Sequence, residues 1–505
     1  MSDNIKEVES NLITAYRDIP YSVLDDDMTI QLRNEFFKEL SEIKKYYEVY
    51  DKGAEFTTEG TQGDYIPMNV KFKRARKIIN QEARFMFSQP LDIIINKNDN
   101  NDETVKAQNT IVNDFIQNVL TKNHFNSKLV KAAKDCFIGK RICVVLNFDS
   151  ETGIKINFLN SLEFYYEMVD DELTKLVAFF VQTDSINLSD KIILKKTYEM
   201  IDGYCFITET LYDGTGRILE DPVEIETKLE MIPAWVVIND GLVNDVKGES
   251  DIAQLIDGES AFSKLSNADM DSERKTMNTI KYTIDASPES TSNLSTSPGA
   301  YWDIQSDENG VEQKKASVGQ LESSMGYTEA LKTTLERIDN NMHSAMSVPN
   351  IDSEKLQGMI TSGKTIRALY YPLQVRSDEK MLVWYDMVVQ LVDTIYKGAL
   401  LYPDSAKDYT VEQLPNIQLD IFVETNYALP QDEEEEKAVD LQEVNAQVMS
   451  RKSYMKKWRG LTDEEADNEL KQIALEREIL EDTFSGMESG NDDSVIEDEQ
   501  ELDIE

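Results

Sequence analysis

The sequence predicts a helix-rich α+β fold, and three observations carry that prediction. Glycine (21) and proline (12) are sparse among 505 residues, below the roughly 7% and 5% of ordinary chains, which favours long uninterrupted helices. Apolar residues recur at helical spacing in several long runs. Between 104 and 240, after an opening helical stretch, short apolar segments alternate with turn sequences such as "DSETG" and "YDGTG". That alternation is the mark of antiparallel strands, not of a parallel nucleotide-binding sheet.

The elements follow in order. Residues 1–60 read as acidic and helical, with "RNEFFKELSEIKKYYEVYDKG" as the clearest amphipathic run, stopped at Gly53. Next comes a basic helix, "MNVKFKRARKIINQEARFMFSQPLDIII", carrying Lys71, Lys73, Arg74, Arg76, Lys77 and Arg84. It ends before Pro90 and hands over to a strand of Ile93, Ile94 and Ile95. The basic cluster has two readings, contact with phosphate or pairing with acids of its own chain or a neighbour. So acidic a chain favours the second.

Residues 104–134 read as helices, followed by the strands "RICVVLNFDSETGIKINFL", "KLVAFFVQT" and "IILKKTYEMIDGYCFITETLYDGTGRILE". The chain then changes character. Residues 248–277 form one helical run about 40 Å long, with Ile252, Leu255, Ile256, Phe262 and Leu265 at helical spacing. Residues 278–322 are strand-and-turn material. Within them "SDENG" has the look of a calcium loop, but placing Gly310 at the invariant glycine puts Gln305 first and Ala316 twelfth. Both key carboxylates are then missing, so it is a turn. A second helix, 324–347, aligns Tyr327, Leu331, Leu335, Ile338 and Met342. A polar stretch follows, and then a long apolar helix expected to break or kink at Pro372.

Composition narrows the chemistry. Three cysteines (Cys136, Cys143, Cys205) at no metal-ligand spacing argue against a disulfide scaffold or a zinc site. Two histidines, His124 and His343, leave almost no room for a histidine-based cluster. No metal, cofactor or catalytic residue is expected. The polar start "MSDNIKEVES" is not read as a signal peptide. No apolar run approaches the about 18 residues a membrane span requires, and the expectation is a soluble protein from a reducing compartment. Ninety-five acids against 52 bases leave a net charge of −43. Duplex binding draws on lysines and arginines that displace counterions, so this chain repels nucleic acid rather than gripping it.

One motif competes with that picture. "GMITSGKT", residues 358–365, satisfies the phosphate-loop pattern at Gly358, Gly363, Lys364 and Thr365. A working phosphate loop leaves a buried strand and opens into a helix. Here the preceding "HSAMSVPNIDSEKLQ" offers Pro349 and a polar run, with no strand to draw. An NTPase using Lys364 stays as an alternative, beside an acidic helical adaptor or chaperone without DNA passage.

The order of elements — long helix, β-rich insertion, long helix, polar segment, long helix — resembles the portal proteins of tailed double-stranded DNA bacteriophages, in particular long-tailed phages of Gram-positive hosts. "RKIINQEARFMFSQPLDI" is similar to the family's N-terminal helix, and "SGKTIRALYYPL" to the start of its long helix, with Thr365-Ile366 in place of a commoner small pair. "IQLDIFVETNYALPQDEEEEKAVDLQEV" and "SRKSYMKKWRGLTDEEADNELKQIALE" resemble the strand, Leu-Pro step and acidic helices that follow. The resemblance covers about residues 60–480, and the order of the pieces carries it.

The resemblance implies a portal-type subunit in a cyclic ring of about 12 copies, or 13 when isolated. The ring stands at one capsid vertex in the virion, after assembly in the host cytoplasm. Residues 1–247 and 363–428 correspond to the wing, the latter with the long kinked helix. Residues 248–277 and 324–347 are the stem, 278–323 the β-rich clip, 348–362 the tunnel loop and 429–484 the helical crown. The acidic tail 485–505 is expected to be disordered. Implied partners are terminase, head-completion and connector proteins, the major capsid and scaffolding proteins, and double-stranded DNA in the channel. Candidate channel residues are Asn350, Asp352, Ser353, Glu354, Lys355 and Gln357; Tyr301 and Trp302 are candidate partner contacts in the clip.

Overall fold

The computed structural model describes residues 19, 23 and 30–488, apart from 59–65, 97–102, 170–171, 184–190, 244, 278–279, 292–293, 295–301, 307–314, 322–324, 352–362, 407–413 and 428–432. The chain divides into two compact units, residues 1–352 with 369–428, and 353–368 with 429–505.

The first unit begins with α1 (Ile30–Lys52) and α2 (Arg74–Phe87). Gly53 closes α1 at φ +87°, and its N–H donates to Val49 O at 2.8 Å. A Cβ there would meet Lys71 Cβ at 2.9 Å, so only glycine fits this left-handed cap. β1 (Asp92–Ile95), α3 (Glu103–Lys122) and α4 (Phe125–Gly139) follow. β1 pairs antiparallel with β12 (Ile421–Glu424), with Ile93 opposite Val423.

The β-rich part forms two antiparallel sheets, as its turn chemistry predicts. β2 (Arg141–Asp149) lies between β3 (Gly153–Asn160) and β9 (Ala234–Ile238). β4 (Phe164–Val169), β5 (Glu172–Thr183), β6 (Lys191–Ile201), β7 (Tyr204–Asp213) and β8 (Ile218–Glu226) form a meander in that order. In "DSETG", Asp149 Oδ1 accepts from the N–H groups of Glu151 and Thr152, both at 2.6 Å. In "YDGTG", Asp213 Oδ1 accepts from the N–H groups of Thr215 and Arg217, both at 2.9 Å. Each aspartate supplies the local bond that turns the chain. The sheets enclose a core of Val145, Leu159, Phe164, Leu176, Tyr198 and Leu229, together with the buried free thiols Cys143 and Cys205.

Two helices then flank a small hairpin. α5 (Asp251–Met277) leads to β10 (Ile280–Ile284), which pairs with β11 (Ser317–Leu321) before α6 (Thr328–Ala345). Where α5 meets α6, a Cβ on Gly258 would stand 2.7 Å from Met342 Cγ, so glycine here admits close helix packing. α7 (Gly363–Leu401) runs on through Pro372, so of the break or kink that the sequence suggests, the break does not occur. Pro372 and Ala368, the residue whose carbonyl its ring frees, are both exposed. At so exposed a site solvent can reach the freed acceptor, which lowers the cost of proline inside a helix.

The second unit holds α8 (Glu433–Asn445), α9 (Arg451–Arg459) and α10 (Asp463–Glu488). Ser450 Oγ caps α9 by accepting from Ser453 N–H at 3.0 Å. Thr462 and Glu465 form a reciprocal capping box, with Thr462 N–H donating to Glu465 Oε2 at 2.9 Å. Cations of α9 face acids of α10, Lys456 with Asp463 at 3.0 Å and Arg459 with Glu469 at 3.1 Å. No helix among the described residues is long and apolar enough to cross a membrane.

Candidate functional site

The first unit is organised around α5, and polar side chains organise α5. Glu259, Ser263, Asn267 and Asp271 recur every fourth residue along it. Asp271 Oδ1 accepts from Met68 N–H (3.0 Å), Asn267 Oδ1 from Val70 N–H (2.8 Å) and Ser263 Oγ from Phe72 N–H (3.3 Å). Four helical residues advance about 6 Å and two extended residues about 6.6 Å, so a helix face matches alternate amides of a strand-like segment. Glu259 completes the series by accepting from Ala75 N–H at the start of α2 (2.7 Å) and from Ala54 N–H (3.2 Å). Burial raises the Glu259 carboxyl above the usual range, partly countered by these two amides.

At the N-terminal end of α5, four charges meet inside the protein. Glu82 of α2 and Asp251 of α5 are 0% and 1% exposed. Arg376 of α7 reaches both, Nε to Glu82 Oε1 and Nη2 to Asp251 Oδ1, each at 2.9 Å. Lys380 of α7 does the same at 2.8 and 2.5 Å, and its ammonium lies 3.8 Å from the Phe137 ring centroid. Burial raises the Asp251 carboxyl, Lys380 opposes that, and Glu82 adds to it. Two cations against two anions leave the cluster neutral, which is the condition for placing it in the interior.

At the other end of α6 the chain turns back on itself. Val348 N–H donates to His343 O at 2.9 Å, and His343 Nδ1 lies 3.2 Å from Val348 O. Gln81 Nε2 donates to Pro349 O at 3.2 Å. Asn350 Nδ2 donates to Asp339 Oδ2 (2.9 Å) and Asn340 Oδ1 (3.0 Å), while Arg74 holds Asp339 from α2 at 2.5 Å. Residues 347–350 are thus tied to α6, which they follow, and to α2.

His343 gives this turn a pH dependence. Burial lowers its pKa from the ordinary 6.5, with Lys77 and Arg74 acting the same way against Asp339 and the Val348 carbonyl. The unfolded chain therefore takes up the proton first. Stability from this site is full above 6.5 and is lost as pH falls through the lower folded-state value. A His343→Asn variant is expected to flatten the slope of Tm against pH in the mildly acidic range. An unchanged slope would remove His343 as its source.

Of the six candidate channel residues, the structure places Asn350, as an anchor for the start of the segment. Asp352, Ser353, Glu354, Lys355 and Gln357 lie outside the described residues. Tyr301 also lies outside them; Trp302 is half-buried, with Lys281 of β10 4.7 Å from its ring centroid. Of the phosphate-loop pattern, Gly363, Lys364 and Thr365 fall in α7, and residues 346–351 contain no strand.

The basic run divides in two. Lys71 pairs with Glu55 and Arg74 with Asp339, whereas Lys73, Arg76, Lys77 and Arg84 are exposed without an ion-pair partner among the described residues. No group of His, Cys, Asp and Glu among the described residues is arranged to hold a metal ion.

Sequence reasoning missed the four-charge cluster. Its one legible signal is Glu82, which falls on the apolar face of α2 with Ala75, Ile78, Ile79 and Met86.

The family model described as "Phage portal protein, SPP1 Gp6-like" matches residues 28–480. No curated protein matches the chain.

Proposed function

The chain belongs to the family of SPP1 Gp6-like phage portal proteins, and on that premise we propose that it closes into a ring of about 12 or 13 subunits through which the genome enters and leaves the capsid. A phage portal role, with its place in the virion and in genome packaging, follows from the family itself.

In this reading α5 and α6 are the stem around the channel, and the β10–β11 hairpin between them lies in the clip, residues 278–323. The clip meets terminase during packaging and connector proteins afterwards. Residues 1–247 and 363–428 form the wing against capsid and scaffolding proteins, and 429–484 the crown. The observation that carries the reading is the match over 28–480, which takes in the whole run from α5 through the hairpin and α6 to α7. A phosphate loop has no comparable support: the described residues ahead of the motif, 346–351, contain no strand for it to leave.

Charge fits the task. Each subunit brings −43, and an acidic wall repels phosphates and removes the counterion release that would make DNA stick. The segment 348–362 narrows the channel, with Asn350 fastening its root to α6 and the single Lys355 of each copy touching passing phosphates. Deleting residues 351–356 is expected to leave rings intact, because the anchors at Val348, Pro349 and Asn350 remain. Packaging or retention of DNA is expected to fall. Full packaging and retention by that deletion would remove the segment from the channel.

A further inference from the structure

Leu242 and Val243 stand almost free in solvent, at 83% and 93% exposure. The loop beneath them is tied down. Asn239 N–H donates to Lys140 O at 2.7 Å and Glu249 N–H to Asn239 O at 2.8 Å, which closes the base of residues 239–249. Arg141 Nη1 donates to Lys247 O at 2.8 Å, and Tyr166 Oη donates to Val246 O. At the tip Asp245 N–H donates to Leu242 O at 2.9 Å, while Asp245 Oδ1 accepts from Lys247 N–H at 2.8 Å. These bonds hold two aliphatic side chains out in water, flanked by Asp240 and Asp245. A tip fixed in this way loses little freedom when a partner covers it.

Three clefts of the first unit differ in how they would receive such a tip. One, of about 380 Å³, is walled by Gly241 and Leu242 themselves. Another, of about 510 Å³, carries Glu172, Glu230 and Asp386, which would repel the flanking aspartates. The third, of about 310 Å³, lies where α4 meets β3. Ala132, Ile142 and Phe158 line it together with the cations Lys128 and Lys131. Lys128 Nζ donates to Ile156 O at 2.9 Å, which fixes its ammonium on β3. Asp135 also borders this cleft, and its Oδ1 accepts from Tyr47 Oη at 2.9 Å. Only this third cleft matches the tip in both apolarity and charge.

Tip and cleft belong to opposite edges of one sheet. β2 lies between β3 and β9, and its Ile142 pairs with Asn160 of β3 on one side and Val237 of β9 on the other. Asn160 lines the cleft, and the loop follows β9 directly after Ile238. The two features therefore flank the same row of the sheet. A copy does not fill its own cleft, since both aliphatics are exposed.

We propose that the Leu242–Val243 tip of one copy seats in the Lys128–Lys131 cleft of the next, its two aspartates beside the two lysines. The inference rests on the ring reading above and supplies it with one anchor of the subunit contact. A knob and a cleft on opposite flanks make a heterologous interface, the type that closes into rings. Burial of the aliphatics supplies affinity, while the charges set orientation and weaken with salt.

The test uses full-length protein carrying Val243→Cys and Lys131→Cys, singly and together, treated with a short bismaleimide. The native thiols Cys136, Cys143 and Cys205 are buried, so the introduced cysteines are the ones that react. The chain with both changes is expected to give a ladder of covalent oligomers beyond the dimer on a denaturing gel. Each single variant is expected to stay monomeric there. Leu242→Ser combined with Val243→Ser is expected to weaken association about tenfold or more in sedimentation velocity. Its circular dichroism should be unchanged, since both side chains are already exposed.

Wild-type rings without a ladder from the double-cysteine chain would overturn the docking and leave the ring standing. Dimers from Val243→Cys alone, or full association of the serine variant, would do the same. A wild-type chain that never associates would overturn both.

Discussion

Replacing Lys380 with methionine is expected to destabilise the first unit by about 3–5 kcal/mol, because it strands a buried negative charge. Glu82 and Asp251 are 0% and 1% exposed, and Arg376 alone would face both. Glu82 is the more vulnerable of the two. Its Oε2 has no hydrogen-bond partner among the described residues, so the cations at Oε1 carry its compensation. Removing charge from both sides should cost less than removing it from one. Lys380→Met combined with Glu82→Gln is therefore expected to be more stable than Lys380→Met alone. Urea unfolding at neutral pH reads both quantities. A loss below about 1 kcal/mol for Lys380→Met would show that the cluster is solvated and contributes like a surface pair.

Trp384→Ala is the second large effect, expected to cost about 3–5 kcal/mol through lost burial and the cavity left behind. Trp384 is 2% exposed, and its ring lies 4.9 Å from that of Phe87 at an interplanar angle of 59°. It belongs to the buried stripe of α7, with Val388, Leu391, Ile395 and Ala399, which seats the helix in the first unit. Phenylalanine keeps an aromatic partner for Phe87, so Trp384→Phe is expected to lose less than half as much. Equal losses for the two variants would mean that neither retained volume nor the ring contact with Phe87 carries the stability.

Local chemistry made parts of this fold legible. The two aspartate turns are fixed within five residues each, so Asp149 with Gly153 and Asp213 with Gly216 announce their hairpins. Gly53 announces the end of α1 in the same way. The helix Asp251–Met277 was readable from its apolar spacing, but its busiest face was not. Glu259, Asn267 and Asp271 count as solvent-facing in any periodicity, and only the tertiary fold shows the backbone amides they receive. Glu82 alone gave a hint, because it falls on the apolar face of α2, but nothing in the sequence named its partners.

Other features are non-local from the start. β1 pairs with β12 across more than three hundred residues of sequence, and nothing in either segment names the other. Whether Pro372 breaks its helix was not legible, because proline's cost depends on whether water can reach the freed carbonyl, which is a matter of exposure and not of sequence. Of the candidate site, the helices that frame the 348–362 segment were legible, while the anchoring of Asn350 on Asp339 required the structure.

The measurement that bears most directly on the portal reading is negative-stain electron microscopy of the full-length protein across a range of salt concentrations. The account predicts closed rings of about 12 or 13 subunits with an open central hole. Compact monomers or dimers without a hole, at every salt concentration, would contradict it.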